Sequence, residues 1–155
     1  MDSVMAVRMN NWEASKGDSF VNDMIAALNK QKTYNVVRIH DSGDFYSQEY
    51  VNKWGAIAEA LPHLTFYAYT KSLHLDFSRM PKNFRIVQSL GGKYDNLVKL
   101  GKPHSRIFAT HRDRMNACYR DGNRSDIPAI EGVRNIGFVY HGGRNLTPAQ
   151  KKYFS

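Results

Sequence analysis

The sequence predicts an α/β fold, a mostly parallel β-sheet with flanking helices in a single compact domain. Apolar runs of strand length, rich in β-branched and aromatic residues, recur along the chain, and segments with helical periodicity lie between them. Strands that alternate with helices favour a parallel sheet, because a chain returning to the same edge needs a crossover helix. The length of 155 residues suits one domain over residues 1–155, arranged as an open sheet or a partial barrel.

The first part of the chain is predicted to contain three helices and two strands. Gly17 ends the first helix, Ser19 is a suitable N-cap for the second, and Ser47 is a suitable N-cap for the third. Pro62 closes the third helix. The predicted order is a helix over residues 5–15, a helix from 19 to 29, a strand over 34–40, a helix from 47 to 61 and a strand over 64–70.

The second part repeats the alternation with shorter elements. A Gly91-Gly92 turn follows the third strand, and residues 121–131 are rich in Asp, Gly, Asn, Ser and Pro, which predicts a surface loop. The predicted elements are a strand over residues 84–89, a short helix around 95–100, a strand over 106–109, a helical piece over 111–119 and a strand over 135–140.

Charge and composition restrict the possible partners and the compartment. The 22 Lys and Arg residues outnumber the 14 Asp and Glu residues and give a formal charge of +8, which favours an anionic partner, either nucleic acid or an acidic protein face. A single cysteine, Cys118, excludes an internal disulfide framework and fits a reducing cytoplasm. No apolar run approaches the length of a membrane span and no signal peptide is visible, so we expect a cytoplasmic protein without a membrane partner.

Polar residues lie at the end of the first predicted strand. His40 is its last residue, and Asp41, Ser42, Gly43 and Asp44 follow it. Gly43 allows a loop conformation in which the two carboxylates converge. The carboxyl ends of parallel strands share one edge of a sheet, where α/β proteins bind ligands. The other predicted strands bring to the same edge the residues Thr70, Lys71, Ser89, Thr110, His111 and His141.

This edge supports two kinds of chemistry. His40, Asp41, Asp44 and His141 offer the nitrogen and oxygen ligands of a divalent metal, with zinc favoured. Alternatively, an aspartate orients His40 as a general base while Lys71 binds an anion or stabilises negative charge, which would make His40, Asp41 and Lys71 the catalytic residues. A third interpretation is a local polar network in which His40 only hydrogen-bonds Asp44.

The densest basic stretch lies between residues 106 and 124. Arg112, Arg114 and Arg120 are its candidate partner-binding residues, and Tyr67 and Tyr69, which share one face of a strand, could stack on bases. The plainer interpretation is a solvated helix face next to a loop.

Four segments resemble the phage "gene product eighty-eight" domain family over residues 11–143. They are the string RIHDSGDFYS at residues 38–47, Trp54, the string FYAYTKS at 66–72 and the string YHG at 140–142. Longer members carry a cysteine-rich segment, able to hold a metal or an iron–sulfur cluster, ahead of the region that matches residues 11–15. Those cysteines are absent here, so the resemblance implies a shortened member of a family found in bacteriophages and other mobile elements.

The combined hypothesis is a metal-stabilised phage accessory protein that acts by binding. The expected partner is a host defence protein, such as a CRISPR effector nuclease that it inhibits in the manner of an anti-CRISPR protein, in the bacterial cytoplasm. A metal-dependent hydrolase or nucleic-acid-processing enzyme using the same sheet edge, and a plain nucleic-acid-binding protein, are the alternatives.

Overall fold

A computed structural model describes residues 3–140, in which six strands form one sheet and every neighbouring pair is parallel. The strands are β1 (Val36–Arg38), β2 (Thr65–Thr70), β3 (Phe84–Ser89), β4 (His104–Phe108), β5 (Arg120–Asp121) and β6 (Asn135–Val139). Their order across the sheet is β1-β2-β3-β4-β6-β5. The predicted α/β class with a parallel sheet and flanking helices is therefore confirmed.

The α-helices flank this sheet between and before the strands. They are α1 (Ser3–Lys16), α2 (Phe20–Lys30), α3 (Gln48–Ala60), α4 (His111–Asn116) and α5 (Ile127–Ile130), and a 3-10 helix covers Asp95–Leu97. The Ser47 hydroxyl caps α3 as predicted, because it accepts a hydrogen bond from the Tyr50 N–H at 3.1 Å. Ser19 precedes α2, but its side chain makes no capping hydrogen bond. No helix within residues 3–140 combines the length and the apolar character needed to cross a membrane.

Alternate residues of the strands face two separate apolar layers. Val37, Phe66 and Ala68 pack on one face against α2 and α3, where Ile57 and Ala58 are fully buried. The opposite face carries Val36, Tyr67, Val87 and Ile136, and α5 covers it with Ala129 and Ile130. Because the side chains of a strand alternate between faces, these runs bury both sides of the sheet.

The sheet curls towards its α5 face. The rings of Tyr69 on β2 and Phe138 on β6 lie 5.5 Å apart between centroids, although β3 and β4 separate their strands. In a flat sheet, three strand spacings of about 4.8 Å would separate them by roughly 14 Å. The α5 face is therefore concave.

Only residues 122–126 of the surface loop predicted over 121–131 form a loop, and the prediction is wrong for Asp121 and for residues 127–130. Asp121 ends β5, which pairs with β6, and Pro128 and Ala129 of α5 are buried against the concave face. Pro128 stands in the first turn of α5, where its fixed φ favours helix and no backbone N–H is lost. The Asp, Gly, Asn and Ser residues that suggested a loop lie at positions 121–126, before this helix, whereas the proline lies within it.

Several element boundaries differ from the sequence prediction, among them that of β1, which covers only Val36–Arg38 of the predicted 34–40, and local contacts account for three others. β4 begins earlier, at His104, whose buried ring contacts the Tyr119 hydroxyl at 2.9 Å. α4 ends at Asn116, since Cys118 adopts a left-handed φ of 58° that a helix cannot contain. The helix predicted around 95–100 is only a 3-10 turn, and the carboxylate of Asp95 accepts the N–H groups of both Gly91 and Gly92.

Candidate functional site

The polar residues after β1 form a cluster with the end of β2. Asp44 accepts three hydrogen bonds, from the Thr70 hydroxyl at 2.6 Å, the Lys71 N–H at 2.7 Å and the Phe45 N–H at 2.7 Å. Gly43 has a φ of 89°, which confirms the predicted need for glycine in this loop. Asp44 therefore joins the loop after β1 to the end of β2.

His40 lies beside Asp44 but points into the apolar layer. Its φ of 64° is left-handed, its ring meets that of Phe45 at 4.7 Å between centroids, and its Nε2 lies 3.3 Å from the Tyr50 hydroxyl. Its Nδ1 is buried and has no hydrogen-bond partner in the described chain. Burial lowers the pKa of His40, and the nearby charge of Asp44 opposes that shift only in part. The lowered pKa favours the neutral form of the imidazole.

The other predicted residues of this edge are dispersed. Asp41 is exposed and makes no hydrogen bond or ion pair within residues 3–140, and the Lys71 ammonium donates to the Gly91 carbonyl at 3.1 Å. Within that range, no three His, Cys, Asp or Glu side chains form a group that could hold a metal ion. His141 lies outside the described residues, so its pairing with His40 stays a prediction. Three strands stand between β1 and β6, the strand that precedes His141.

The three arginines predicted to bind a partner have different environments. Arg112 and Arg120 are exposed, and Arg120 lies 3.4 Å from Glu131. The side chain of Arg114 is only 11% exposed, donates to the Tyr119 carbonyl at 2.6 Å and lies 3.6 Å from Asp121. The idea that Arg114 belongs to a solvated helix face is therefore wrong, because it anchors α4 to β5.

A second polar site, which we call the concave pocket, lies on the α5 face near the carboxyl ends of the strands. Its volume is about 480 Å³. Its lining consists of the strand residues Arg38, Tyr69, Ser89, Ser105, Ile107 and Phe138 and the loop residues 122–126. The location is the one at which open parallel sheets bind ligands.

Asp126 organises the hydrogen bonds at one side of the concave pocket. Its carboxylate accepts from the Arg38 guanidinium at 3.0 Å, from the Tyr67 hydroxyl at 2.8 Å and, weakly, from the Tyr69 hydroxyl at 3.5 Å. Burial and this carboxylate raise the pKa of Tyr67 to about 12 and raise that of Tyr69 as well. Both phenols therefore remain protonated donors.

Several polar groups of the concave pocket are available to a ligand. The Ser89 side chain is partly exposed and its hydroxyl makes no hydrogen bond with the part of the chain that the structure describes, whereas Ser105 contributes to the lining but is only 2% exposed. The Arg124 side chain is 90% exposed, and its ion pair with Asp121 is long, at 3.7 Å. Exposed ion pairs of this kind contribute little to stability. The pocket thus offers the Ser89 hydroxyl and the exposed guanidinium of Arg124, beside a second guanidinium that Asp126 binds.

Comparison with known proteins places the chain among phage proteins. A family model described as Gene product 88 matches residues 1–145. The chain belongs to the Gene product 88 family. The Gene 88 protein of Mycobacterium phage L5 is 28% identical over an alignment of 177 residues, covering 88% of this chain and 72% of the relative. The Gene 88 protein of Mycobacterium phage D29 is 28% identical over 121 residues, covering 62% of this chain and 50% of the relative. No solved structure matches the chain.

Membership of the Gene product 88 family confirms the resemblance seen in the sequence. The string at residues 38–47 contributes to both sites: Arg38 points into the concave pocket, whereas His40 and Asp44 belong to the opposite layer. Sequence reasoning noticed the shared face of Tyr67 and Tyr69 but missed the pocket, because its key carboxylate, Asp126, falls in the segment predicted as a loop. Small residues on neighbouring strands, Ser89 and Ser105, were the available signal for an unfilled cavity.

Proposed function

We propose that this member of the Gene product 88 family is a phage accessory protein that acts by binding an anionic ligand in the concave pocket. The observation that carries the proposal is an open cavity of about 480 Å³ whose lining includes two arginines, Arg38 and Arg124, the second with a side chain that is 90% exposed. Pockets for small ligands usually measure about 300–1,000 Å³. The formal charge of +8 supports an anion as well, because it favours the approach of negative partners.

Binding is favoured over catalysis by the state of the ionisable groups. In the described lining of the concave pocket the only carboxylate is Asp126, which is already engaged by Arg38 and Tyr67. His40, the candidate general base, lies in the layer between the sheet and the helices, with its Nδ1 buried. Neither group is therefore placed to take a proton from a ligand in the concave pocket, as a general base must.

Substitution of the two pocket arginines tests the proposal. We expect Arg38→Gln and Arg124→Gln each to weaken the binding of inorganic phosphate by at least about fivefold, since a charge-assisted hydrogen bond contributes about 1.5–3 kcal/mol. Isothermal titration calorimetry at low ionic strength measures the affinity. Arg112→Gln is the matched control, because Arg112 is exposed and does not line the pocket. Equal affinities for all four proteins would contradict the proposal.

Inhibition of a host defence nuclease is the second candidate function. Membership of a phage family, the charge of +8 and the exposed guanidiniums of Arg112 and Arg120 support an interaction with an acidic face of such an enzyme, for example a CRISPR effector nuclease. On this hypothesis a divalent metal, with zinc favoured, would be held by His40, Asp41, Asp44 and His141 and would stabilise the fold. The alternative is an enzyme that uses His40, Asp41 and Lys71 at the same edge.

A titration of nuclease activity against this protein separates inhibition from catalysis. We expect loss of nuclease activity in proportion to the protein added, independent of incubation time, because an inhibitor forms a stable complex without turnover. Elemental analysis of the same preparation and melting with and without chelator test the metal, since a ligand of the folded state raises the melting temperature. Progressive inactivation by substoichiometric protein would instead support the enzyme hypothesis.

A further inference from the structure

We infer that the anionic ligand of the concave pocket is a nucleoside phosphate, either a free nucleotide or one nucleotide unit of a single strand. The inference rests on the proposed function and adds a nucleobase to the anion. Its basis is the division of the pocket into an apolar, partly aromatic wall and a cationic wall. The apolar wall suits a nucleobase, and the cationic wall suits a phosphate.

The aromatic wall consists of Tyr69, Phe138 and Ile107. Tyr69 is half-buried, and the 69° angle between its ring and that of Phe138 describes an edge-to-face pair that stiffens both side chains. Ile107 is 44% exposed, although it occupies β4, a central strand of the sheet. An apolar side chain left uncovered inside a cavity favours a ligand with an apolar face. A planar base meets that requirement and also stacks on tyrosine.

The cationic wall consists of Arg38 and Arg124. The Arg38 guanidinium lies over one face of the Tyr69 ring, 5.7 Å from its centre, so a phosphate bound by Arg38 places the attached base within reach of the rest of the aromatic wall, Phe138 and Ile107 included. The Arg38 side chain is 45% exposed and retains donors beyond the one given to Asp126. Arg124 is free to turn towards the same phosphate, because its contact with Asp121 is long and exposed.

The shape of the pocket narrows the class of nucleic acid. A duplex presents its bases only through its grooves and cannot place one in a cavity of about 480 Å³ without flipping it out. A free nucleotide or an unpaired strand exposes base faces at no such cost. The hydroxyl of the partly exposed Ser89 supplies a donor and an acceptor that a base or a sugar can use.

Calorimetry with three probes tests the inference: inorganic phosphate, nucleoside monophosphates and a short oligodeoxythymidylate. We expect at least one nucleotide probe to bind about tenfold or more tightly than phosphate, since stacking of a base on an aromatic side chain contributes about 1–3 kcal/mol. Tyr69→Leu should lower the ratio of nucleotide affinity to phosphate affinity about tenfold for the same reason. Tyr34→Leu is the matched control, because Tyr34 is 68% exposed and precedes the amino end of β1.

Ile107→Gln is a second variant in case Tyr69→Leu fails to fold, because the exposed position of Ile107 tolerates substitution. It should lower the same affinity ratio, since it removes an apolar side chain from the aromatic wall without adding a charge that would repel the phosphate of every probe. Tighter binding of the oligonucleotide than of any monophosphate supports a strand unit, and equal binding supports a free nucleotide. Nucleotides that bind no more tightly than phosphate would overturn this inference while leaving the proposed function intact. The absence of binding by all three probes would overturn both.

Discussion

Asp44→Ala is expected to lower the free energy of unfolding by about 2–4 kcal/mol, because it removes an ionised acceptor shared by three donors. Those donors are the Thr70 hydroxyl and the N–H groups of Phe45 and Lys71. Thr70 is only 1% exposed, so water has little access to its hydroxyl once the carboxylate is lost. The loop after β1 would then lose its attachment to β2. Urea unfolding followed by circular dichroism measures the change.

Asp41→Ala is the matched control for this prediction. Asp41 lies three residues earlier, is exposed and has no partner within residues 3–140, so its loss should change the free energy of unfolding by no more than about 0.5 kcal/mol. Asp44→Asn should fall between the two, since an amide keeps one acceptor oxygen but presents a donor to the remaining N–H. If Asp44→Ala is as stable as Asp41→Ala, the carboxylate does not hold the loop.

Most of the sheet was predictable because its longer strands are rich in β-branched and aromatic residues. The segments 64–70 and 84–89 have the length of a strand, contain β-branched and aromatic residues and are bounded by turn residues, and all three features indicate a strand. The two-residue strand β5 offers no such segment. β5 pairs with β6 in the segment that follows α4. Arg114 and Tyr119 pack against Gly137 of β6, where a Cβ atom would clash with them. A strand that depends on tertiary contacts of this kind carries little local signal.

The concave pocket was not predictable because it depends on the curl of the sheet and on the order of its strands. Alternation places Tyr69 and Phe138 on one face, but only the curl brings their rings to 5.5 Å. Asp126 is separated from Arg38 by 88 residues, and the contact exists because α5 packs on the concave face. The proximity of His40 and Asp44 was predictable, since both follow β1. The structural role of Asp44 was not predictable, because Thr70 and Lys71, which donate to it, lie at the end of β2.

Arg114→Glu should destabilise the fold by about 3 kcal/mol or more, because it removes the largely buried cation beside Asp121 and leaves that carboxylate only the long, exposed ion pair with Arg124. The Arg114 side chain is 11% exposed, donates to the Tyr119 carbonyl and lies beside Asp121. A Cβ on Gly137 would lie 2.5 Å from the Arg114 Cγ, so this side chain fills space reserved for it. A glutamate there would meet the Asp121 carboxylate with the same charge. Chemical unfolding of the purified variant measures the loss.

Arg112→Glu is the matched control, since it makes the same charge change on the same helix at an exposed position. It should alter the free energy of unfolding by no more than about 0.5 kcal/mol. Arg112 is therefore the residue to reverse when an acidic partner is tested, whereas reversal of Arg114 would confuse lost binding with lost folding. Equal stability of the two variants would show that α4 is held by its other contacts and that Arg114 is free to serve a partner.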